Sequence, residues 1–144
     1  MFLTKECDYG IRIIRALADG IKKTVENICE LEHIPSQYAY KILKKLERAG
    51  FLQSIRGRDG GYRLIKDLNT FSLYDIIIAI DDELLLFECL RADNVCANKK
   101  PDNPCAVHVE FERIQAILVD EMRSKTVIEV MEALPQHDGR KEDV

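Results

Sequence analysis

Hydrophobic positions in the first 50 residues follow the period of amphipathic helices. A first helix that ends at Gly20 is predicted by apolar or small residues in steps of three and four: Leu3, Cys7, Gly10, Ile14, Leu17 and Ile21. A second, short helix is predicted over Val25 to Glu32. A third begins at Pro35-Ser36 and ends at Gly50. The chain is therefore predicted to begin with three helices.

The third predicted helix has two different faces. Its apolar face, at about 100° per residue, consists of Ala39, Ile42, Leu43 and Leu46. The opposite face and its aromatic flanks consist of Gln37, Lys41, Lys44 and Arg48, with Tyr38 and Tyr40. Such a helix suits a DNA major groove, because cations contact phosphates and hydrogen-bonding side chains read base edges. Taken alone, the segment is more typical of an ordinary surface helix.

A hairpin pattern follows this helix. Two short strands are predicted over Phe51 to Ile55 and Tyr62 to Ile65, and the residues between them contain three glycines. The glycines permit a tight reversal with positive φ. Arg56 and Arg58 at the tip suit a phosphate or a narrow minor groove better than a core. Three helices and a basic-tipped hairpin predict a mainly α fold, a winged helix-turn-helix domain over residues 1–80.

The second half of the chain predicts a different organisation. Ser72 to Asp75 resembles a capping box that opens a helix with Leu73, Ile76, Ile77 and Ile80 inward. Residues 81–105 lack any period and predict an irregular, cysteine-bearing loop. Residues 106–134 are predicted to hold a long helix, which begins near Cys105 and ends at Arg123, and a last short helix from Thr126 to Leu134. Residues 135–144 are predicted to be a mobile tail.

The long helix predicts a homodimer. Its apolar stripe consists of Val107, Phe111, Ile114, Leu118 and Met122. At 1.5 Å per residue the helix would be roughly 28 Å long, too long for a small winged domain to cover alone. We therefore expect a C-terminal dimerisation helix that packs against a symmetric partner. The alternative is that it folds back on its own domain.

Composition and charge narrow the class of protein. With 144 residues, the chain is long enough for one compact domain, and no apolar run is long enough to cross a membrane. The N-terminus lacks the apolar stretch of a secretion signal, so we expect a soluble cytoplasmic protein. The net charge is −4, yet residues 36–66 carry 8 basic and 2 acidic side chains. This block is as consistent with a nucleic-acid partner as with a solvated face.

Five cysteines in a cytoplasmic chain favour free thiols over disulfides. Cys7 and Cys29 fall among apolar helix positions and are interpreted as core residues. The other three form the spacing Cys-x6-Cys-x8-Cys-x2-His, from Cys89 through Cys96 and Cys105 to His108. Three thiolates and an imidazole suit zinc or iron. The tight cysteine pairs of zinc sites are missing, and wide spacing suits an iron–sulphur cluster. The spacing alone nevertheless leaves three possibilities open: a cluster, zinc and no metal.

The chain resembles the IscR/NsrR-type family of winged-helix iron–sulphur regulators over about residues 1 to 134. The matching motifs are Leu3-Thr4, Asp8-Tyr9-Gly10, Arg48-Ala49-Gly50, Arg56-Gly57-x-x-Gly60-Gly61-Tyr62, Asp75-Ile76-Ile77 and the three-cysteine loop. The resemblance implies a homodimer with crossing long helices, in which each loop lies near the partner's first helix. It also implies a [2Fe-2S] or [4Fe-4S] cluster on Cys89, Cys96 and Cys105. The cysteine spacings here are longer than is usual in the family, and Tyr40-Lys41 looks more NsrR-like than IscR-like.

Two residues compete for the fourth ligand position. His108 lies three residues after Cys105 on the same helix face and matches the IscR type. Asp8 matches the NsrR type and, in a dimer, would carry ligation across the interface. Each has a simpler interpretation: His108 as a polar residue of a first helical turn, and Asp8 as the i,i+4 partner of Arg12.

These observations predict a regulator of transcription, not an enzyme. The main hypothesis is a repressor that binds double-stranded operator DNA, controlled by a cluster that senses redox state, nitric oxide or iron and cluster supply. The second hypothesis keeps the DNA binding and makes direct cysteine oxidation or zinc binding the switch. An enzyme is disfavoured because the sequence has no evident Cys/His/acid set and no nucleotide-binding loop.

Overall fold

A computed structural model describes residues 3–98 and 100–133. The helices are α1 Lys5–Ala16, α2 Val25–Glu32, α3 Ser36–Arg48, α4 Leu73–Asp81, α5 Ala106–Arg123 and α6 Val127–Glu132. The strands β1 Leu52–Ile55 and β2 Gly61–Leu64 form one antiparallel sheet. The mainly α class with a two-stranded wing is therefore confirmed. The predicted tail, 135–144, and Leu134 lie outside the described residues. Within the described residues, none of the helices combines the length and hydropathy needed to cross a bilayer.

The core lies between α1, α3 and α4. All four residues predicted to face inward on α3 are completely buried. They meet Ile13 and Ile14 of α1 and Ile76 and Ile77 of α4 in one apolar cluster. Gly10 allows α1 and α4 to approach closely, because a Cβ atom added there would lie 1.9 Å from the Cδ1 atom of Ile80. These contacts fix the orientation of α3 relative to the rest of the domain.

Local hydrogen bonds set where two of the helices begin and end. The predicted capping box at α4 is present, and the Ser72 backbone N–H donates to the Asp75 carboxylate at 2.7 Å. The first helix ends at Ala16, earlier than predicted. Asp19 accepts a hydrogen bond from the N–H of Ile21 at 2.9 Å, which turns the chain. Ile21, predicted to lie on the apolar stripe, is therefore 63% exposed.

The wing is attached to the segment before α2. Lys23 and Tyr62 exchange backbone hydrogen bonds of 3.0 and 2.9 Å, so that Lys23 lies beside β2. Of the wing glycines, only Gly57 has a positive φ, at 122°. Gly60 and Gly61 do not adopt the positive φ that glycine permits, and they are required for a different reason. A Cβ atom on Gly61 would lie 2.3 Å from the Lys23 carbonyl oxygen.

Part of the predicted apolar stripe of α5 is covered by the same chain, and part of it is exposed. Phe111, Leu118 and Met122 are half-buried against the same chain. Val107 and Ile117 are 58% and 55% exposed, and none of the residues of α5 is fully buried. The apolar surface of this helix is therefore only partly covered by its own domain.

Candidate DNA interface and cysteine loop

The helix-turn-helix places one face of α3 on the surface. His33 ends α2 in the left-handed region at φ 54°, and Ile34 anchors the turn with only 4% of its surface exposed. From this turn α3 exposes all six of its predicted DNA-binding side chains, among them Gln37, Tyr40, Lys44 and Arg48. Two cations, an amide and a phenol therefore lie on one accessible helix face.

Two other predicted DNA-binding residues of α3 contact α1. The Tyr38 ring lies 5.6 Å from the ring of Tyr9, centroid to centroid. The Nζ atom of Lys41 lies 2.7 Å from the Oε1 atom of Glu6, and Lys45 Nζ lies 2.9 Å from Oε2 of the same carboxylate. Hydrogen bonds from Lys41 and then Lys45 hold the pKa of Glu6 below its usual value. Lys41 is therefore an exposed cation that is already ion-paired within the chain.

The wing tip is basic, as the sequence predicts. Arg56 and Arg58 are both exposed there. The structure adds a third cation that the sequence pattern did not indicate, because Lys22 donates a hydrogen bond from its Nζ atom to the Asp59 backbone carbonyl. Lys22 comes to the tip only because the segment before α2 pairs with β2, a long-range contact without a local sequence signal.

The three loop cysteines lie at separate places on an irregular segment. Cys89 lies in a single 3-10 turn, Glu88–Leu90, Cys96 follows in a stretch without helix or strand, and Cys105 directly precedes α5. All three are free thiols of intermediate burial. Across residues 3–98 and 100–133, no three His, Cys, Asp or Glu side chains are close enough together to hold a metal ion. The structure does not bring the predicted ligand set together, so it stays a prediction.

Side chains of α5 hold the start of the cysteine loop. The Gln115 Oε1 atom accepts a hydrogen bond from the Leu86 N–H at 2.8 Å, and its Nε2 atom donates to the Leu84 carbonyl. The rings of Phe87 and Phe111 stack with centroids 3.8 Å apart. Sequence reasoning missed Gln115 because one polar residue beside an apolar stripe resembles an ordinary solvated position.

The two candidate fourth ligands have different surroundings. His108 lines a surface pocket together with Cys105, and its Nε2 atom lies 3.0 Å from Glu112 Oε1. The Oδ2 atom of Asp8 lies 3.0 Å from the Nη2 atom of Arg12. This ion pair is the simpler of the two interpretations that the sequence offers for Asp8. Only His108 therefore lies beside one of the predicted ligand cysteines in the single chain.

Of the two cysteines interpreted as core residues, Cys7 is buried in the core, whereas Cys29 is half-buried and packs against it. Cys7 is 1% exposed, and its Sγ atom lies 3.1 Å from the Oδ2 atom of Asp81. Burial, followed by the contact with Asp81, raises the pKa of this thiol to about 11. Cys29 packs against the core, and burial raises its pKa as well.

A comparison with known protein families matches residues 3–133 to Rrf2, described as an iron-dependent transcriptional regulator. The chain belongs to the Rrf2 family. The match confirms the resemblance seen in the sequence and identifies a transcriptional regulator. It also confirms that the protein is not an enzyme, since the family and its relatives regulate transcription.

Similar proteins support this assignment. The HTH-type transcriptional regulator NsrR of Bacillus subtilis (strain 168) is 30% identical over 100 residues, which cover 67% of this chain and 68% of that protein. Two solved structures share the fold. The oxidized form of Staphylococcus aureus CymR has a TM-score of 0.73 and 21% identity, over 94% of this chain and 100% of the other. IscR of T. potens has a TM-score of 0.68 and 17% identity, and the match covers 98% of this chain and 93% of that chain.

Proposed function

We propose that this Rrf2 regulator is a repressor that binds a double-stranded DNA operator through α3 and the wing. The observation that carries the proposal is the exposed face of α3 beside a wing whose tip carries Arg56 and Arg58. In this arrangement Lys44 and Arg48 contact phosphates, while Gln37 and Tyr40 read base edges. The wing arginines hold the neighbouring backbone or the minor groove.

We further propose that the operator is bound by a homodimer. The uncovered apolar side chains of α5 support this proposal, because Val107, Ile114 and Ile117 lie on one side of the helix and are 58%, 38% and 55% exposed. A second copy of α5 would cover this surface. Two α3 helices would then contact half-sites about one DNA turn apart. Sedimentation of wild type and of Ile117→Glu tests this step, with a dimer expected only for wild type.

We propose that Cys89, Cys96 and Cys105 hold an iron–sulphur cluster, [2Fe-2S] or [4Fe-4S]. The donor chemistry fits, since three free thiols on one irregular loop are donors of the kind that hold such clusters, with His108 or Asp8 as the candidate fourth ligand. When bound, the cluster supplies iron chemistry that responds to redox state, nitric oxide or cluster supply. The three cysteines would hold it, and Gln115 and Phe111 of α5 would orient the start of the loop.

The end of α4 offers a route from the loop to α3. Asp81, the last residue of α4, accepts hydrogen bonds from the Thr4 hydroxyl at 2.8 Å and from the Cys7 thiol at 3.1 Å. The neighbouring carbonyl of Ile80 accepts a hydrogen bond from Lys45 of α3 at 2.6 Å. A change in the loop that moves this end of α4 would therefore act on α1 and on the recognition helix together.

Selection of bound sequences from a random DNA library tests the DNA-binding function. We expect wild type to enrich a palindrome with two half-sites, and Tyr40→Ala to enrich a different one. Failure of wild type to enrich any sequence would overturn the proposal. Visible absorption of protein purified without oxygen, with iron and sulphide counted, tests the cluster.

A second candidate keeps the DNA binding and replaces the cluster by direct cysteine oxidation or zinc. The observation that favours direct oxidation is that, among the described residues, three free thiols lie on the loop without being gathered into a group that could hold a metal ion. The fold likeness to CymR, which was solved in an oxidized form, agrees with it. Colourless protein whose operator affinity falls with an oxidant and returns with a reductant would support this candidate. Colourless protein with bound zinc would support the zinc variant.

A further inference from the structure

A polar cluster lies where the first turn of α1 meets α3 and the end of α4. At its centre is the Glu6 carboxylate, which accepts hydrogen bonds from Lys41 at 2.7 Å and from Lys45 at 2.9 Å. Lys45 also donates to the backbone carbonyl of Ile80 at 2.6 Å. One carboxylate of α1 therefore engages two cations of the helix proposed to read DNA.

The two lysines differ in their freedom to leave this cluster. The Lys45 side chain is 28% exposed and has two acceptors, which fix it between α1 and α4. The Lys41 side chain is 61% exposed and has Glu6 as its acceptor within the described chain. Lys41 lies one turn before Lys45 and beside Lys44, on the exposed face of α3. Lys41 is therefore the cation that could leave Glu6 and pair with a DNA phosphate, while Lys45 stays hydrogen-bonded to Glu6 and to the Ile80 carbonyl.

We infer that Glu6 is a positioning residue that competes with DNA phosphate for Lys41 and thereby limits non-specific binding by the recognition helix. The inference rests on the proposed function. A lysine free in solvent pairs with phosphates of any sequence and adds affinity without discrimination. A lysine held by Glu6 exchanges its partner only where α3 is seated closely enough to offer a phosphate at the same place. Glu6 thus favours the operator over other DNA.

The test compares Glu6→Gln with a control that changes charge equally. Glu30→Gln is that control, because Glu30 is exposed on α2 and makes no ion pair within the described residues. Fluorescence anisotropy gives affinity for the selected operator and for a scrambled duplex between about 50 and 200 mM salt. Each substitution is also made with Lys41→Gln, and circular dichroism confirms folding.

Glu6→Gln is expected to bind the scrambled duplex about threefold more tightly than Glu30→Gln does. For the scrambled duplex, the slope of log affinity against log salt should be more negative for Glu6→Gln than for Glu30→Gln by about one unit, because one more phosphate is neutralised. The ratio of operator to scrambled affinity should fall, and all three effects should vanish in the Lys41→Gln background. Glu6→Asp, which shortens the side chain, should shift the slope the same way by less, and it supplies the readout should Glu6→Gln not fold.

Equal binding by Glu6→Gln and Glu30→Gln would overturn the inference. So would an effect of Glu6→Gln that persists with Lys41→Gln, because Glu6 would then act through general charge. A wild type that enriches no DNA sequence would instead overturn the proposed function, so the two failures are distinguishable.

Discussion

The ring of Phe87 stacks on the ring of Phe111, with centroids 3.8 Å apart and planes inclined by 15°. This contact joins the residue just before the Cys89 turn to the second turn of α5. Together with the Gln115 hydrogen bonds, it fixes one end of an otherwise irregular loop. We therefore expect a change in the loop to be transmitted to α5, the helix proposed to form the dimer.

Loss of this stack should loosen the loop locally. Phe87→Ala removes an aromatic pair that contributes about 1 kcal/mol, while Phe87 itself is 47% exposed, so the core remains intact. We expect faster hydrogen exchange at the Leu86 amide, with core amides of α3 unchanged. Val95→Ala is the control, because Val95 is 97% exposed. Unchanged exchange at Leu86 in Phe87→Ala would show that the stack does not hold the loop.

The close approach of α1 and α4 should make Gly10 intolerant of a side chain. The added methyl group of Gly10→Ala would lie 1.9 Å from Ile80 Cδ1, and overpacking of this kind costs about 1–3 kcal/mol. Ile80→Val removes that atom. In urea denaturation the double variant should therefore be more stable than the sum of the two single changes predicts. If the changes in the free energy of unfolding were strictly additive, the side chains at positions 10 and 80 would not be in contact.

Cys7 should differ from the three loop cysteines in its reactivity with alkylating agents, and its ionisation should make the stability of the fold depend on pH. Cys7 is 1% exposed with a pKa of about 11, so at about pH 8 it should resist alkylation while Cys89, Cys96 and Cys105 react, in folded protein from which any bound cluster or metal has first been removed with a chelator. Because folding raises this pKa, the thiol contributes stability that is complete below its ordinary value of 9.0 and is lost as the pH rises through about 11. Mass spectrometry of alkylated native protein makes the measurement. Equal labelling of Cys7 and Cys96 would contradict the structure.

The elements of the winged domain could be predicted because local pattern determines them. α2 has the bounds that the pattern of Val25 to Glu32 predicted, and the inward face of α3 is fully buried, since 3.6-residue periodicity needs no long-range information. The end of α1 was misplaced because the apolar pattern runs on to Ile21, whereas the helix ends at Ala16 and a turn follows in which Asp19 accepts a hydrogen bond from the Ile21 N–H.

The candidate site could be predicted only in part. Residue types and exposure on α3 and the wing follow from the sequence, yet Lys41 is engaged by Glu6, 35 residues away along the chain. Lys22 and Gln115 act through similar long-range contacts. The spacing of Cys89, Cys96 and Cys105 gives the donor types without their distances, because an irregular loop imposes no period on side-chain positions.

The wing arginines should contribute affinity without sequence preference. Arg56→Ala and Arg58→Ala should each weaken binding to every duplex and reduce the salt slope by about one unit for each phosphate that is no longer neutralised. Arg113→Ala is the matched control, because Arg113 is an exposed arginine of α5 that pairs with Glu110. Anisotropy titrations at several salt concentrations give both quantities. Identical slopes for all three variants and wild type would remove the wing from the DNA interface.

The most direct test of cluster-controlled DNA binding compares wild type with the triple variant Cys89→Ser, Cys96→Ser and Cys105→Ser. Both proteins are purified without oxygen, their iron, sulphide and visible absorption are measured, and their affinity for the selected operator is determined in the same samples. We predict that wild type is coloured, contains iron and sulphide, and differs from the colourless triple variant by about tenfold in operator affinity. A colourless wild type whose operator affinity equals that of the triple variant would contradict cluster control.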